Sequence, residues 1–109
     1  MDEQGMKMIW AVIRPEVVDT VVKALSREGF GAMTRFDVWG RGKQNGVLVS
    51  GQSYDMPKTV LMSVVMDADA DEVVRIIEDN ARTGSIGDGR IFVTPVLQAH
   101  TIRTGESGP

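Results

Sequence analysis

Met6-Lys7-Met8-Ile9-Trp10-Ala11-Val12-Ile13-Arg14-Pro15-Glu16 is the stretch on which the fold turns. Its first eight residues, Met6 to Ile13, are rich in branched and aromatic side chains and predict a strand. Arg14-Pro15-Glu16 then opens a helix, because the N–H that proline lacks has no partner in a first turn anyway. Val18, Val21, Val22 and Leu25 make the apolar stripe of that helix, Lys23 and Arg27 fall off it, and Gly29 offers a left-handed stop. Ala32 to Val38 reads as the returning strand. The same order comes back about 53 residues later: a strand over Thr59 to Met66, carboxylates near a helix start at Asp67-Ala68-Asp69, a stripe of Val73, Ile76, Ile77 and Ala81, and a last strand over Ile91 to Val96. Pro95 inside that strand places it at an edge or ends its pairing. Two right-handed crossover units side by side give one domain over 1–109 of α+β class, a ferredoxin-like βαββαβ sandwich with both helices on one face of a four-stranded sheet.

Two helices cover only one face, yet the strands are apolar on both. Met8, Trp10 and Val12 alternate with Ile9, Ala11 and Ile13, and Val60, Met62 and Val64 alternate with Leu61 and Val65. Leaving large apolar side chains in water costs roughly 1.5–3 kcal/mol each, so the second face is expected to pack against other subunits.

Composition narrows the function classes. The 109 residues contain no cysteine and one histidine, His100, which removes disulfide frameworks, thiolate metal sites and cysteine nucleophiles and argues against histidine-based metal centres. Twelve Lys and Arg against fifteen Asp and Glu leave a net charge of −3, too little positive potential for nonspecific binding to nucleic acid. No apolar run approaches the ~20 residues that cross a bilayer, and Met1-Asp2-Glu3 is not the start of a secretory signal, so no direct membrane insertion is expected and the cytoplasm is the expected address. An RNA-recognition reading of the sheet wants exposed aromatics and a basic surface that this chain lacks. A ferredoxin-like small-molecule-binding enzyme, with Arg14 or Arg41 on a phosphate, finds no convincing catalytic constellation. His100 has no evident partners, and Met33, Met56, Met62 and Met66 read as gap-fillers.

Three segments lie outside the repeated units. Trp39 to Pro57 holds Gly40, Gly42, Gly46 and Gly51, shows no sustained periodicity, and is too long for a hairpin turn, as binding or switching loops often are. Lys43, Gln44 and Lys58 give its base cations and an amide suited to phosphate or carboxylate groups. Arg82-Thr83-Gly84-Ser85-Ile86-Gly87-Asp88-Gly89-Arg90 has three glycines that let successive N–H groups turn into one concavity, with Arg90 adding charge. It closes a helix rather than opening one, so helix-dipole arguments for anions do not apply, and taken alone it is more often plain turn chemistry. The tail Thr101-Ile102-Arg103-Thr104-Gly105-Glu106 brings one more guanidinium.

The run of Met33-Thr34, Gly40-Arg41-Gly42-Lys43-Gln44, Pro57-Lys58, Thr83-Gly84-Ser85-Ile86-Gly87-Asp88-Gly89-Arg90-Ile91-Phe92-Val93 and Ile102-Arg103-Thr104-Gly105-Glu106 closely resembles the PII signal-transduction family, over nearly the whole chain from Met6 to Glu106. Its central loop, its Gly-Arg-Gly-Lys-Gln element and its Met-Pro-Lys-Thr ending resemble the nitrogen-fixation branch, which regulates nitrogenase. The resemblance implies a nitrogen regulatory protein rather than an enzyme, assembled as a homotrimer or as a hetero-oligomer with a paralogous subunit. It implies ATP or ADP in clefts between subunits, with Thr34 near the adenine or ribose and Val64 offering backbone contacts to the base. Gly87, Asp88, Gly89 and Arg90 would form the phosphate-binding B-loop (about 82–90), with charge from Lys43 and from Arg103 in the C-terminal loop (about 101–109). With ATP bound, Gln44 would help hold Mg2+ and Lys58 would pair with a carboxylate of 2-oxoglutarate. These ligands would set the arrangement of the T-loop (about 39–57), whose implied target is dinitrogenase, or alternatively an ammonium transporter or a nitrogen-assimilation enzyme. Arg90 stands where family members often carry lysine, and Thr101 where many carry a second arginine. Tyr54 does not match the position of the tyrosine that some relatives modify.

Overall fold

The computed structural model describes residues 5–41, 47–49 and 52–109. Eight residues form β1 (Met6–Ile13), followed by a 3-10 turn (Pro15–Val17), α1 (Val18–Arg27) and β2 (Thr34–Gly40). Two three-residue strands, β3 (Val47–Val49) and β4 (Gln52–Tyr54), come next. They lead into β5 (Met56–Met66), α2 (Asp67–Ala81) and β6 (Gly89–Val96). The main sheet is antiparallel in the order β2-β5-β1-β6, the ferredoxin-like α+β arrangement expected from the two strand-helix-strand units.

Local chemistry sets most boundaries. Pro15 turns the chain into a 3-10 turn before α1, and Val17 N–H reaches Arg14 O at 3.2 Å. Gly29 ends α1 at φ +85 while Phe30 N–H returns to Leu25 O at 2.9 Å, so the left-handed stop sits where the sequence places it. Pro95 pairs with Lys7 on β6, an edge strand, where its missing N–H interrupts no second ladder.

Around the central segment β2 keeps its expected length but is shifted two residues along, to Thr34–Gly40 rather than Ala32–Val38, and β5 starts at Met56 rather than Thr59. Each extends the other, through the pairs Trp39↔Pro57 and Gly40↔Met56, so β2 continues to Gly40 and β5 begins at Met56. Within the stretch that lacks sequence periodicity, β3 and β4 pair as a short ribbon, Val47 opposite Tyr54 and Val49 opposite Gln52. Three residues a side are too few for an alternating pattern to stand out.

One face of the sheet makes the core. Ile9, Ala11, Ile13, Leu61 and Val65 meet Val18, Val21 and Leu25 of α1 and Ala70, Val73, Ile77 and Ala81 of α2. Thr59 shares this face, and its hydroxyl donates to Asp37 at 3.1 Å, satisfying the buried oxygen. On the other face the ladder groups Trp10 with Met62 and Phe92, Met8 with Val64, and Val60 with Val12 and Phe36. No helix covers this set, and Phe36 and Phe92 remain 43% and 46% exposed.

Candidate functional site

The loop between α2 and β6 is held by side chains. Gly84, Gly87 and Gly89 have φ of +86, +100 and +108, and a Cβ on Gly89 would stand 1.8 Å from Val12 O, so only glycine fits where the loop joins β6. Asp88 closes the turn from inside. Its carboxylate accepts from Thr83 N–H at 2.8 Å, Gly84 N–H at 2.9 Å, the Thr83 hydroxyl, and Arg14 Nε at 3.2 Å. The Thr83 hydroxyl above all, then the Thr83 and Gly84 N–H groups and Arg14, hold this carboxyl far below its ordinary value of 3.8, against a smaller desolvation effect.

Two cations grip the same loop. Arg14 Nη2 donates to Ile86 O at 2.6 Å, and the Lys58 ammonium donates to Gly87 O. Burial, then the neighbouring Arg14 charge, lower the Lys58 pKa below its ordinary value of 10.5, and Glu16 and Asp88 oppose them. Arg90 lies over the Phe92 ring, 5.3 Å from its centroid. The N–H groups of Ile86 and Gly87 meet no acceptor among the described residues. A loop with its carboxylate turned inward, donors left open and cations beside it fits an anionic group such as a phosphate chain. On the flank of the loop, Ile77, Ala81, Arg82, Asp88, Arg90 and Val93 line part of a cleft of about 400 Å3.

The residues expected to contact the rest of a nucleotide lie elsewhere. Thr34 pairs with Met62 at the start of β2, so β5 has no β2 neighbour from Ser63 onward and the Val64 backbone lies on an open sheet edge beside Thr34. Arg103 sits in a C-terminal hairpin closed by Thr101 N–H to Glu106 O at 2.9 Å, Gly105 N–H to Thr101 O at 2.7 Å, Gly108 N–H to Ala99 O at 2.9 Å, and a bridge between His100 and Ser107. Because β6 runs from Gly89 opposite Ile13 to Val96 opposite Met6, this hairpin leaves from the Met6 end of the sheet, toward which Val64 lies. The seven residues of strand from Arg90 to Val96, six steps, span roughly 20 Å, far more than a triphosphate.

The structure thus brings Lys58, Gly87, Asp88, Gly89 and Arg90 together, puts Thr34 on the mid-sheet rung of Trp10 and Met62, and puts Val64 toward the other end, where the hairpin that carries Arg103 starts. Lys43 and Gln44 lie outside the described residues. No group of three or more His, Asp or Glu that could hold a metal occurs among the described residues, so the Mg2+ expectation rests on Gln44 and on oxygens of the ligands themselves. Sequence reasoning missed Arg14 and Thr83 as partners of Asp88. No local signal marks Arg14 for this: it stands one position beyond Ile13, and only the register that pairs Ile13 with Gly89 puts it opposite Asp88. At the base of the ribbon Arg41 Nε pairs with Asp55 at 2.6 Å. No helix among the described residues is long and apolar enough to cross a membrane.

Comparison with known proteins covers the same residues. A family model described as nitrogen regulatory protein P-II matches residues 6–106. The chain is 52% identical over 104 residues to "Nitrogen fixation nifHD region GlnB-like protein 1" of Methanothermobacter marburgensis, covering 94% of this chain and 99% of the relative. It is 49% identical, with the same coverage, to the protein of that description from Methanothermococcus thermolithotrophicus. "Nitrogen regulatory protein P-II 2" of Methanothermobacter thermautotrophicus is 46% identical over 108 residues, 94% of each chain. Among solved structures, Arabidopsis thaliana PII bound to citrate superposes with a TM-score of 0.81 at 33% identity, covering 97% of this chain and 88% of that one.

Proposed function

The chain belongs to the nitrogen regulatory protein P-II family and is a PII-like nitrogen regulator of the nifHD-region GlnB-like type; from that premise we propose that it senses ATP, ADP and 2-oxoglutarate and acts on dinitrogenase. The nucleotide lies between two subunits of a homotrimer, or of a hetero-oligomer with a paralogous subunit. Gly87, Gly89 and Arg90 of one subunit cradle the phosphates, with Lys43 adding charge and Asp88 holding the loop. Thr34, Val64 and Arg103 of the next subunit supply the base contacts and a second guanidinium.

One observation supports this reading: the glycine loop and Lys58 stand at the Ile13 end of the sheet, Thr34 lies on the mid-sheet Trp10–Met62 rung, and Val64 and the hairpin that carries Arg103 lie toward the Met6 end, a spread that a second copy would bridge. The open apolar face formed by Met8, Trp10, Met62 and Phe92 supplies the surface for that assembly.

Lys58 links the two ligands. Its ammonium already holds the Gly87 carbonyl, and a keto-acid carboxylate at that point competes for it directly, so occupancy by 2-oxoglutarate is felt in the loop that holds the phosphates. Gln44 would be the residue of this chain that helps hold Mg2+ when ATP and 2-oxoglutarate are bound, and the ion would supply charge neutralisation there. Citrate, the ligand of the Arabidopsis structure, is a carboxylate of this kind. Binding alone does the work: the ligands select arrangements of the segment 39–57, and some of these fit the target while others do not. The protein acts in the cytoplasm and transforms no substrate.

Calorimetric titration with ATP, ADP and Mg2+, with and without 2-oxoglutarate, tests this. Tight ATP binding and 2-oxoglutarate binding that requires ATP are expected; absence of ATP binding, or 2-oxoglutarate binding that ignores the nucleotide, overturns it. The 46% match to a protein named nitrogen regulatory protein P-II 2, a name without the nitrogen-fixation label, keeps a second reading in play, control of an ammonium transporter or a nitrogen-assimilation enzyme. Affinity capture at low 2-oxoglutarate separates the two by recovering dinitrogenase or one of those targets.

A further inference from the structure

Arg14 lies outside the motifs that carry the P-II resemblance, yet it makes more hydrogen bonds to the glycine loop than any expected ligand residue except Asp88. The ladder between β1 and β6 ends at Ile13↔Gly89, so the next position delivers Arg14 opposite Asp88. Pro15 keeps it there, because a residue before proline is pushed to extended backbone, and Arg14 has φ −65 and ψ 139. The side chain is three-quarters buried, and its guanidinium uses two edges at once, Nε on the Asp88 carboxylate at 3.2 Å and Nη2 on Ile86 O at 2.6 Å. Its Nη2 would also be 3.1 Å from a Cβ on Gly87, so the loop backbone passes directly over it.

A trans peptide points its C=O and N–H in opposite directions. All peptides here are trans, so pinning the Ile86 carbonyl inward on Arg14 turns the Gly87 N–H outward. Lys58 acts on the next peptide in the same sense by holding Gly87 O. A planar fork can hold a carboxylate and a carbonyl together; an ammonium at this position is a point charge and cannot fix both in one geometry.

We propose that Arg14 is the positioning residue of the anion loop: through Ile86 O and Asp88 it fixes the 86–87 peptide so that the Gly87 N–H faces an incoming phosphate oxygen. Naming the ligand as a nucleotide phosphate rests on the P-II reading above; the ordering of the empty loop by Arg14 does not. Arg14 touches no ligand itself.

Arg14→Gln and Arg14→Lys test this on the full-length protein. In the ligand-free state Arg14→Gln raises hydrogen exchange of the amides from Gly84 to Gly89 at least tenfold and leaves β1 and α1 amides unchanged. It weakens ATP about tenfold in calorimetric titration, and Arg14→Lys recovers only a minor part of that loss. Adding Asp88→Asn to Arg14→Gln costs little beyond Asp88→Asn alone, because both residues act through the same loop geometry. Unchanged loop exchange overturns the proposal, and so does full rescue by lysine, which marks charge alone, or a fully additive double variant, which marks a direct contact to the ligand. Wild-type protein that binds no ATP overturns the nucleotide reading, and the exchange comparison still decides the role of Arg14.

Discussion

Two turns leave opposite ends of the sheet, and they are built in opposite ways. The loop before β6 is held by side chains: Asp88 gathers Thr83, Gly84 and Arg14, and Lys58 holds Gly87 O. The hairpin after β6 is held mainly by its own backbone, through the pairs Thr101–Glu106, Thr101–Gly105 and Ala99–Gly108. A turn made from distant side chains responds to charge, pH and ligands at every partner. A turn made from its own peptides keeps its shape whatever its side chains do, which leaves Arg103 free to face outward as a contact. The first is fitted to sense, the second to present.

Gly89→Ala attacks the first turn hardest. Its Cβ would lie 1.8 Å from Val12 O at φ +108, so either the loop or the Ile13 rung must break. The expected loss is about 4 kcal/mol or more, read by denaturant unfolding. A normal unfolding midpoint would mean that this end of the sheet is far softer than its hydrogen bonds imply.

Asp88→Asn comes next and bears on the electrostatic part of the contrast. The folded carboxyl is held below its ordinary value, so its contribution to stability is fully present above pH 3.8 and is lost as pH falls through the folded value. Thermal unfolding of Asp88→Asn is therefore expected to lie below that of the wild type at neutral pH, with the gap closing under acid conditions. A gap that stays constant down to pH 2 would assign the loss to shape rather than charge.

Arg103→Ala reverses the pattern. Unfolding is expected to be unchanged, since Arg103 lies on an exposed turn whose closure is backbone-made, while ATP affinity falls about tenfold, equivalent to about 1.4 kcal/mol. A lowered unfolding midpoint with intact ATP binding would make the hairpin structural and remove it from the nucleotide site.

The same division explains what could be read from the chain. β1 from Met6 to Ile13, the stripes of α1 and α2, the stop at Gly29 and the edge position of Pro95 each follow from signals within a few residues, and all are present as read. The far end of β2 and the early start of β5 were hidden because Gly40 and Pro57 carry turn signals, and only the cross-strand pairs Gly40↔Met56 and Trp39↔Pro57 override them. The B-loop glycines were legible as positions for positive φ, but the inward turn of Asp88 depends on Arg14, 74 residues away, and that contact is set by the register of β1 against β6. The family motifs supplied the candidate site residues; they did not tell which of them hold the loop and which are left open to a ligand.

Gly105→Ala is the mildest test and the one that isolates the backbone-made turn. Gly105 has φ +73, a conformation that costs an alanine about 1 kcal/mol, and a Cβ there meets nothing within 4 Å, so strain is the whole effect. Its N–H still reaches Thr101 O, and the hairpin still closes. The expected result is a loss of about 1 kcal/mol or less in unfolding, because the hairpin can open without disturbing the sheet core. ATP affinity should change less than with Arg103→Ala, since the guanidinium is retained and only its placement loosens. If Gly105→Ala weakened ATP as much as removing Arg103 does, placement rather than charge would limit the hairpin's contribution. The two turns would then differ in what holds them but not in how sharply each must be positioned.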